Sequence, residues 1–284
     1  MKILLISCGD VATEAGLRFA ALGHEVTGWR RNSSKLPAPL AGRDVDLQGD
    51  GPWPRIDPET RIVVLTPVPA SRDVPGYERA YLQVAGKLID ALKEQAPQLQ
   101  RIIYVSSSAV SGGEHGEWVD ESTPSEPNRE TSVVLARTER ALLDSGLPVT
   151  VLRASGIYGP GRNHLITQVR NGTARLPFGS HWTNRIHRDD LAQAIVHVAE
   201  LGDLAEQLYL VTDNEPAQLE DIFTFLAGEL GLPVPPAATE PAARRAADRR
   251  IDNSKLRSTG FTLAFPGYRE GYRSVLAGES TRHP

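Results

Sequence analysis

The sequence has 284 residues, of which 40% are hydrophobic and 23% charged, so it is long enough for one large domain or two closely packed ones. A formal net charge of −4 gives no electrostatic reason to expect nucleic acid or an anionic membrane as a partner. One cysteine, Cys8, excludes an internal disulfide. Because the sequence shows neither a signal-peptide pattern nor an apolar run of the roughly 20 residues that span a bilayer, we expect a soluble cytoplasmic protein.

The first half of the chain alternates between strand patterns and helix patterns. Continuous apolar runs are typical of strands buried on both faces of a parallel sheet, and apolar residues at a 3.6-residue period are typical of amphipathic helices. The predicted strands are 2–7, 24–30, 43–48, 61–66, 101–108 and 148–155. The predicted helices are 11–23, 77–95 and 130–145. This alternation predicts an α/β fold, a doubly wound parallel sheet of the Rossmann type.

After about residue 156 the pattern changes, because Gly and Pro become frequent and the elements become shorter. We predict a helix over 189–201, a strand over 207–212 and a helix over 219–231. The Pro/Ala/Arg-rich segment 233–250 is predicted to be a surface loop or linker. We therefore expect a dinucleotide-binding domain over residues 1–156 and a smaller C-terminal substrate lobe over residues 157–284, with some segments returning to the sheet.

The turn after the first strand, residues 7–12 (SCGDVA), stands where a Rossmann fold has Gly-x-Gly-x-x-Gly. Gly9 holds the middle position, where the backbone must approach a pyrophosphate. Ser7 and Ala12 replace the outer glycines; Ala is an accepted variant there, whereas Ser is a departure. The amides that follow Gly9 open a helix, whose partial positive charge favours phosphate, and they belong to Asp10, Val11 and Ala12. The alternative is a strand–turn–helix with small residues for packing alone.

The second strand ends in Arg30 and Arg31, where an NAD-specific site would place an acidic residue for the ribose hydroxyls. Arginine accommodates a 2′-phosphate instead, so the pair favours NADP(H) over NAD(H); the alternative is a solvated basic loop. The other residues predicted to contact the cofactor lie near the ends of later strands: Asp46 and Leu47 beside the adenine, and Thr66, Pro67 and Ser106.

Residues 101–127 (RIIYVSSSAVSGGEHGEWVDESTPSEP) resemble the extended short-chain dehydrogenase/reductase family, the NAD-dependent epimerase/dehydratase group. In that family a strand ends in Ser-Ser or Ser-Thr and is followed by Val-Tyr-Gly, a loop and Glu-x-x-Pro-x-x-Pro. Further segments match the family in the correct order: 152–162, 186–195, 209–231 and 251–261. The resemblance implies nicotinamide chemistry on a small polar, sugar-like substrate. It also implies that Ser107 is the catalytic serine and that Tyr158 lies near nicotinamide and substrate.

The resemblance further implies a Tyr-x-x-x-Lys pair, in which the tyrosine moves a proton and the lysine lowers its pKa. The family's helix continues with a glutamate four residues after the lysine. Glu139 fits that glutamate, which places the lysine position at Leu135 and the tyrosine position at Thr131. No Tyr-x-x-x-Lys occurs anywhere in the sequence. The chain is therefore identified as an atypical member, with Ser111 also replacing the Tyr of Val-Tyr-Gly.

Other side chains are candidates for the missing proton donor, and each has a structural alternative. The candidates are His115, Glu117, Glu130, Tyr158 and His187. We place His115, Arg162 and His187 at the substrate. The alternatives are an exposed loop residue for His115, a salt bridge for Arg162, a helix cap for His187 and packing at the lobe junction for Tyr158.

Two functions remain open at this point. One is an NADP(H)-dependent oxidoreductase or epimerase with a non-standard proton donor; the other is a catalytically inactive NADP(H)-binding sensor or regulatory protein. The sequence shows no metal-ligand spacing. A homodimer through helices 77–95 and 130–145 is an expectation of the family resemblance, and burial within one chain explains the same apolar residues.

Overall fold

The computed structural model describes residues 1–240 and 248–284. A seven-stranded parallel sheet forms the centre of this part of the chain, because its continuous apolar strands are buried on both faces. Its strands, in spatial order, are β11 (Leu208–Val211), β7 (Val149–Ala154), β5 (Arg101–Ser107), β4 (Thr60–Leu65), β1 (Lys2–Ile6), β2 (Glu25–Arg30) and β3 (Ala41–Asp44). The predicted Rossmann-type fold is therefore confirmed.

Helices cover both faces of the sheet. One face carries α1 (Asp10–Ala21) and α6 (Arg188–Glu200). The other carries α3 (Val84–Gln95) and α4 (Glu130–Leu143), which pack against each other in the same chain. Val84 and Leu88 of α3 and Val134 of α4 are buried here, whereas Val133 is 41% exposed.

The predicted helix 77–95 differs from the structure in its first half. The chain begins a helix at α2 (Val74–Tyr77), passes through a π-helical segment at Glu78–Gln83, and returns to α-helix in α3. A π turn adds a residue to the turn and rotates the side chains that follow relative to a regular helix. The 3.6-residue pattern could not predict this change of orientation, which affects Tyr81.

The C-terminal elements form a smaller unit at the carboxyl edge of the sheet. Its helices are α5 (His164–Arg170), α7 (Leu219–Glu229) and α9 (Tyr268–Ala277), which share one hydrophobic cluster. The short helix α8 (Ser254–Ser258) packs against β11 of the central sheet, and its Leu256 belongs to the core on that side. Its short strands pair as β8 (Gly156–Tyr158) with β10 (Arg185–His187), and as β9 (Trp182–Thr183) with β12 (Ala217–Gln218). The predicted strand 207–212 became β11, which adds to the edge of the central sheet beside β7.

The prediction of a loop over 233–250 is wrong at its end. Arg249–Ile251 forms β13, which pairs in parallel with β6 (Glu117–Val119) more than a hundred residues earlier in the chain. Sequence patterning missed both strands, because each is three residues long and too short to show a period. Residues 241–247 of the predicted loop lie outside the described residues.

Candidate functional site

The turn after β1 places a serine in a backbone conformation that favours glycine. Ser7 has a φ of 61°, the left-handed conformation that a glycine at that position would adopt without strain. Thr66 holds the turn by donating its hydroxyl to the Ser7 carbonyl oxygen at 3.1 Å. A Cβ built on Gly9 would meet the Ser7 carbonyl oxygen at 3.8 Å and nothing closer, so the space above the turn is open to a ligand.

The start of α1 carries a buried charge cluster. The Asp10 carboxylate accepts from Arg188 Nη1 at 2.8 Å and from Arg162 Nε at 3.1 Å. Val11 and Ala12 are buried under the sheet, so only their amides can serve a ligand. The two guanidinium groups offset the Asp10 charge, which would otherwise oppose a phosphate at this helix N-terminus.

A cavity of about 290 Å³ lies beyond the turn, at the carboxyl ends of β2 and β3. Gly9, Arg30 and Arg31 line it, together with Asp46 and Leu47. The structure thus brings the predicted pyrophosphate contact Gly9 together with the residues that the sequence analysis assigned to the adenosine half of a dinucleotide. Lys35, which the sequence analysis did not select, adds a further positive charge to the wall.

Two more cavities share a wall on the other side of the turn. One, of about 280 Å³, is lined by Pro67, Ser106 and Arg162; the other, of about 420 Å³, is lined by Thr131 and Arg185. The residues that line both are Tyr81, Ser107, Leu135 and Ser155. The Tyr-x-x-x-Lys positions, Thr131 and Leu135, therefore face open space at the predicted place and do not plug it.

A buried ion pair supports the wall of these cavities. Arg153 Nη2 donates to Glu139 at 2.7 Å, and the two side chains are only 7% and 6% exposed. Ser106 Oγ donates to Glu139 Oε1 at 2.5 Å, and Arg153 Nη1 donates to Ser111 Oγ at 3.2 Å. The glutamate that fixed the helix register in the sequence analysis thus orients Ser106, a predicted cofactor contact.

Ser107 ends β5 and caps the short helix that follows it. Its Oγ accepts from the Ala109 amide at 3.2 Å, so its hydroxyl proton remains available for donation into the cavities. Ser107 lines both cavities, and its catalytic role stays a prediction of the family resemblance.

Tyr81 is the candidate proton donor that the sequence analysis missed. Its ring stacks on Tyr77 with ring centroids 5.2 Å apart, and it lines both cavities. Burial, with a smaller effect from Tyr77, raises the pKa of the Tyr81 hydroxyl. In the described part of the chain the other titratable residues that line the two cavities are Tyr77, Arg129, Arg162, Arg185 and Arg249, and arginine does not release its proton near neutral pH.

Three predicted ligand contacts lie elsewhere, and their roles stay predictions that the geometry does not support. His115 is exposed on the loop before β6 and lines neither cavity. Tyr158 is 3% exposed, and its ring packs on Tyr272 with centroids 4.5 Å apart. His187 is fully buried and caps α6 by accepting from the Asp189 amide at 3.2 Å.

Two arginines that the sequence analysis did not select shape the larger cavity. Arg249 of β13 donates to the carbonyl oxygens of Ser108, Ser111 and Gly112, so it fixes the loop after β5. Arg185 Nη2 donates to Thr183 Oγ1 at 3.2 Å, while its buried Nε has no hydrogen-bond partner among residues 1–240 and 248–284. An unpaired donor on a half-buried cation suits an anionic ligand group in the cavity.

Neither metal chemistry nor a membrane span is indicated over residues 1–240 and 248–284. No group of three His, Cys, Asp or Glu side chains is placed to hold a metal ion among them. Each helix described there is too short or too polar to cross a bilayer.

Comparison with known proteins gives a family match. The model of the NAD dependent epimerase/dehydratase family matches residues 17–211, beginning after the Ser7–Ala12 turn. A protein from Methylobacillus flagellatus, provisionally described as an NAD-dependent epimerase/dehydratase, is 32% identical over 98% of both chains, with a TM-score of 0.79. A functionally unknown conserved protein from Silicibacter pomeroyi DSS is 26% identical over 97% of this chain and 98% of that chain, with a TM-score of 0.82.

More distant structures share the fold. The UDP-glucose 4-epimerase of Thermus thermophilus, in complex with NAD, is 18% identical over 98% of both chains, with a TM-score of 0.79. None of the curated proteins matches the chain.

Proposed function

Because this chain belongs to the NAD dependent epimerase/dehydratase family, we propose that it binds a nicotinamide dinucleotide and oxidises or epimerises a small polar, sugar-like substrate. The observation that carries the proposal is the line of cavities along the carboxyl edge of the sheet, with the open turn at Gly9 between them. Ligands of open α/β sheets bind along this edge. Two proteins of similar structure, 21% and 20% identical to this chain, are described in complex with NAD and with UDP-glucose or UDP-glucuronic acid, and these ligands suggest the cofactor and substrate classes that we propose.

We further propose that the cofactor is NADP(H) rather than NAD(H). Arg30, Arg31 and Lys35 surround the adenosine-side cavity, where Asp46 is the acidic residue of the wall. A 2′-phosphate would satisfy this excess of positive charge, while the two ribose hydroxyls of NAD would not.

Titration of NADPH and NADH by nicotinamide fluorescence tests the cofactor. Since hydrogen bonds to charged groups contribute about 1.5–3 kcal/mol each, the loss of one from each arginine in Arg30→Ala/Arg31→Ala should weaken NADPH binding by roughly 10²- to 10⁴-fold. NADH binding should change by less than about threefold, because NADH lacks the phosphate. The double variant Arg43→Ala/Arg55→Ala removes the same charge from a cavity at the amino edge of the sheet and serves as the control. Equal losses for both nucleotides would refute the NADP(H) preference.

A nicotinamide dinucleotide held at the Gly9 turn and by Arg30 and Arg31 would supply hydride transfer to or from a substrate carbon. Ser107 donates its hydroxyl proton to the reacting substrate oxygen and so holds that oxygen beside Tyr81. Tyr81 lines both cavities and, like any tyrosine, is protonated at neutral pH, so it supplies a proton when the substrate carbonyl is reduced. Arg185 binds an anionic group of the substrate at the far side of the larger cavity.

Tyr81→Phe tests this assignment of the proton donor. General acid catalysis contributes typically 10²–10⁴-fold, so kcat should fall by that order while NADPH affinity is retained. The substrates for the assay are UDP-glucose and UDP-glucuronic acid, followed through nicotinamide absorbance and product analysis. Tyr77→Phe is the matched control, because Tyr77 lines only the larger cavity. Full activity of Tyr81→Phe would exclude Tyr81 as the donor.

A catalytically inactive sensor is the second candidate, favoured by the replacement of the proton-transfer pair by Thr131 and Leu135. A sensor would bind the dinucleotide and show no turnover with sugar nucleotides. The variant Thr131→Tyr/Leu135→Lys restores the Tyr-x-x-x-Lys pair of the family at the cavity wall. If the protein is a sensor, this variant should show no gain in turnover.

A further inference from the structure

We propose that residues 280–284 form an internal strap that competes with a 2′-phosphate for Arg30. The proposal goes beyond the binding of NADP(H), on which it rests, because it concerns regulation of that binding by the chain itself. We call residues 280–284 the tail.

The tail leaves α9 at Gly278, whose φ of 72° ends the helix in the left-handed conformation. It then runs along the start of α1. Arg188 Nη2 donates to the Thr281 carbonyl oxygen at 2.8 Å, and the His283 amide donates to Asp10 Oδ1 at 3.1 Å. The tail is therefore tied to the same charge cluster that lies at the N-terminus of α1.

Side chains of the tail add specific contacts on both sides of this path. His283 Nε2 lies 2.8 Å from Glu14 Oε2, one turn further along α1. Arg282 packs over Gly161, where a Cβ would come within 2.2 Å of Arg282 Cδ. A glycine at position 161, with φ of 68°, thus leaves the space that the Arg282 stem occupies.

The path ends at the adenosine-side cavity. Arg30 Nη1 donates to the main-chain oxygen of Pro284 at 2.7 Å. Arg30 also lines the cavity that we assign to the 2′-phosphate. The tail does not cover the turn itself, because the nearest atom to a Cβ on Gly9 is the Ser7 oxygen. The strap consequently opposes a ligand that needs Arg30 and leaves the pyrophosphate position open.

Only molecules in which the strap is open can bind the ligand. The apparent Kd therefore equals the intrinsic Kd divided by the fraction of open molecules. If the strap is closed in about nine molecules of ten, the apparent Kd rises about tenfold. The contact with Arg30 makes the effect specific, since only a ligand with a 2′-phosphate must displace it.

Binding of adenosine 2′,5′-bisphosphate and of 5′-AMP, measured by calorimetry, tests the strap. A variant that stops after Glu279 should bind the bisphosphate about tenfold more tightly than the full chain, and should bind 5′-AMP within about twofold of it. The variant Arg282→Ala/His283→Ala keeps all 284 residues, and it should also bind the bisphosphate more tightly. This variant shows that the gain in affinity does not come from shortening the chain. Glu279→Ala, at an exposed residue outside the tail, is the control.

The outcomes separate the strap from the cofactor assignment. If the full chain binds the bisphosphate clearly and the shortened chain binds it equally or more weakly, the strap is overturned and the cofactor assignment is not. Equal binding shows that the tail has no effect on the ligand, and weaker binding shows that the tail helps to hold it. Failure of the shortened chain to prefer the bisphosphate over 5′-AMP overturns the NADP(H) assignment and the strap with it. Equal gains for both ligands also overturn the strap, because they show a general opening and no competition at Arg30.

Discussion

Substitution of Glu139 by glutamine should destabilise the fold more than any loss of surface charge. Arg153 donates to both Glu139 oxygens, at 2.7 to 3.2 Å, and the pair is almost fully buried. The glutamine keeps the shape but leaves the arginine charge without a counter-ion. Breaking a buried pair in this way costs about 3–5 kcal/mol. At roughly 2–3 °C per kcal/mol for a chain of this size, Tm should fall by about 6–15 °C.

Urea denaturation and thermal unfolding of the purified variant measure the loss. The exposed pair Glu78–Arg137, with N···O of 3.2 Å, is the matched control, because Glu78→Gln should cost no more than about 1 kcal/mol. Replacing both buried partners by leucine should cost less than the sum of the single replacements, since no lone charge remains buried. A loss below about 1 kcal/mol for Glu139→Gln, or strict additivity of the double variant, would refute the reasoning.

Two further predictions concern the turn and the cap of α6. Ser7→Gly removes the backbone strain of a serine in the left-handed conformation. The free energy of unfolding should therefore rise by up to about 1 kcal/mol, and nucleotide affinity should be retained. A marked fall in the free energy of unfolding, measured by urea denaturation, would contradict this. Burial lowers the pKa of His187 from its usual 6.5 to about 4. Between these values the unfolded chain binds a proton that the folded chain does not, so stability should fall as pH drops from about 6.5 towards 4. His187→Asn keeps a cap acceptor for the Asp189 amide and should flatten that dependence; an unchanged slope in pH-dependent denaturation would assign it to another group.

The amino-acid sequence by itself determined the central sheet and the turn at its edge. Apolar runs and helical periods are local properties, so they identify β1, α1, β2, β4 and β5 within a few residues of their observed bounds. The order of these elements then fixes a parallel sheet, because right-handed crossovers leave few alternatives. The family resemblance, through Glu139, set the register that places Thr131 and Leu135 at the cavity wall.

Tertiary structure alone decided which side chains share the site. Tyr81 reaches both cavities through a π-helical segment, and a shift of one residue turns a helical side chain by about 100°. Arg249 supports the loop after β5 through a pairing of short strands far apart in sequence. The tail reaches Arg30 from the other end of the chain. Contacts of this kind depend on how packed elements meet, and no local period in the sequence records that.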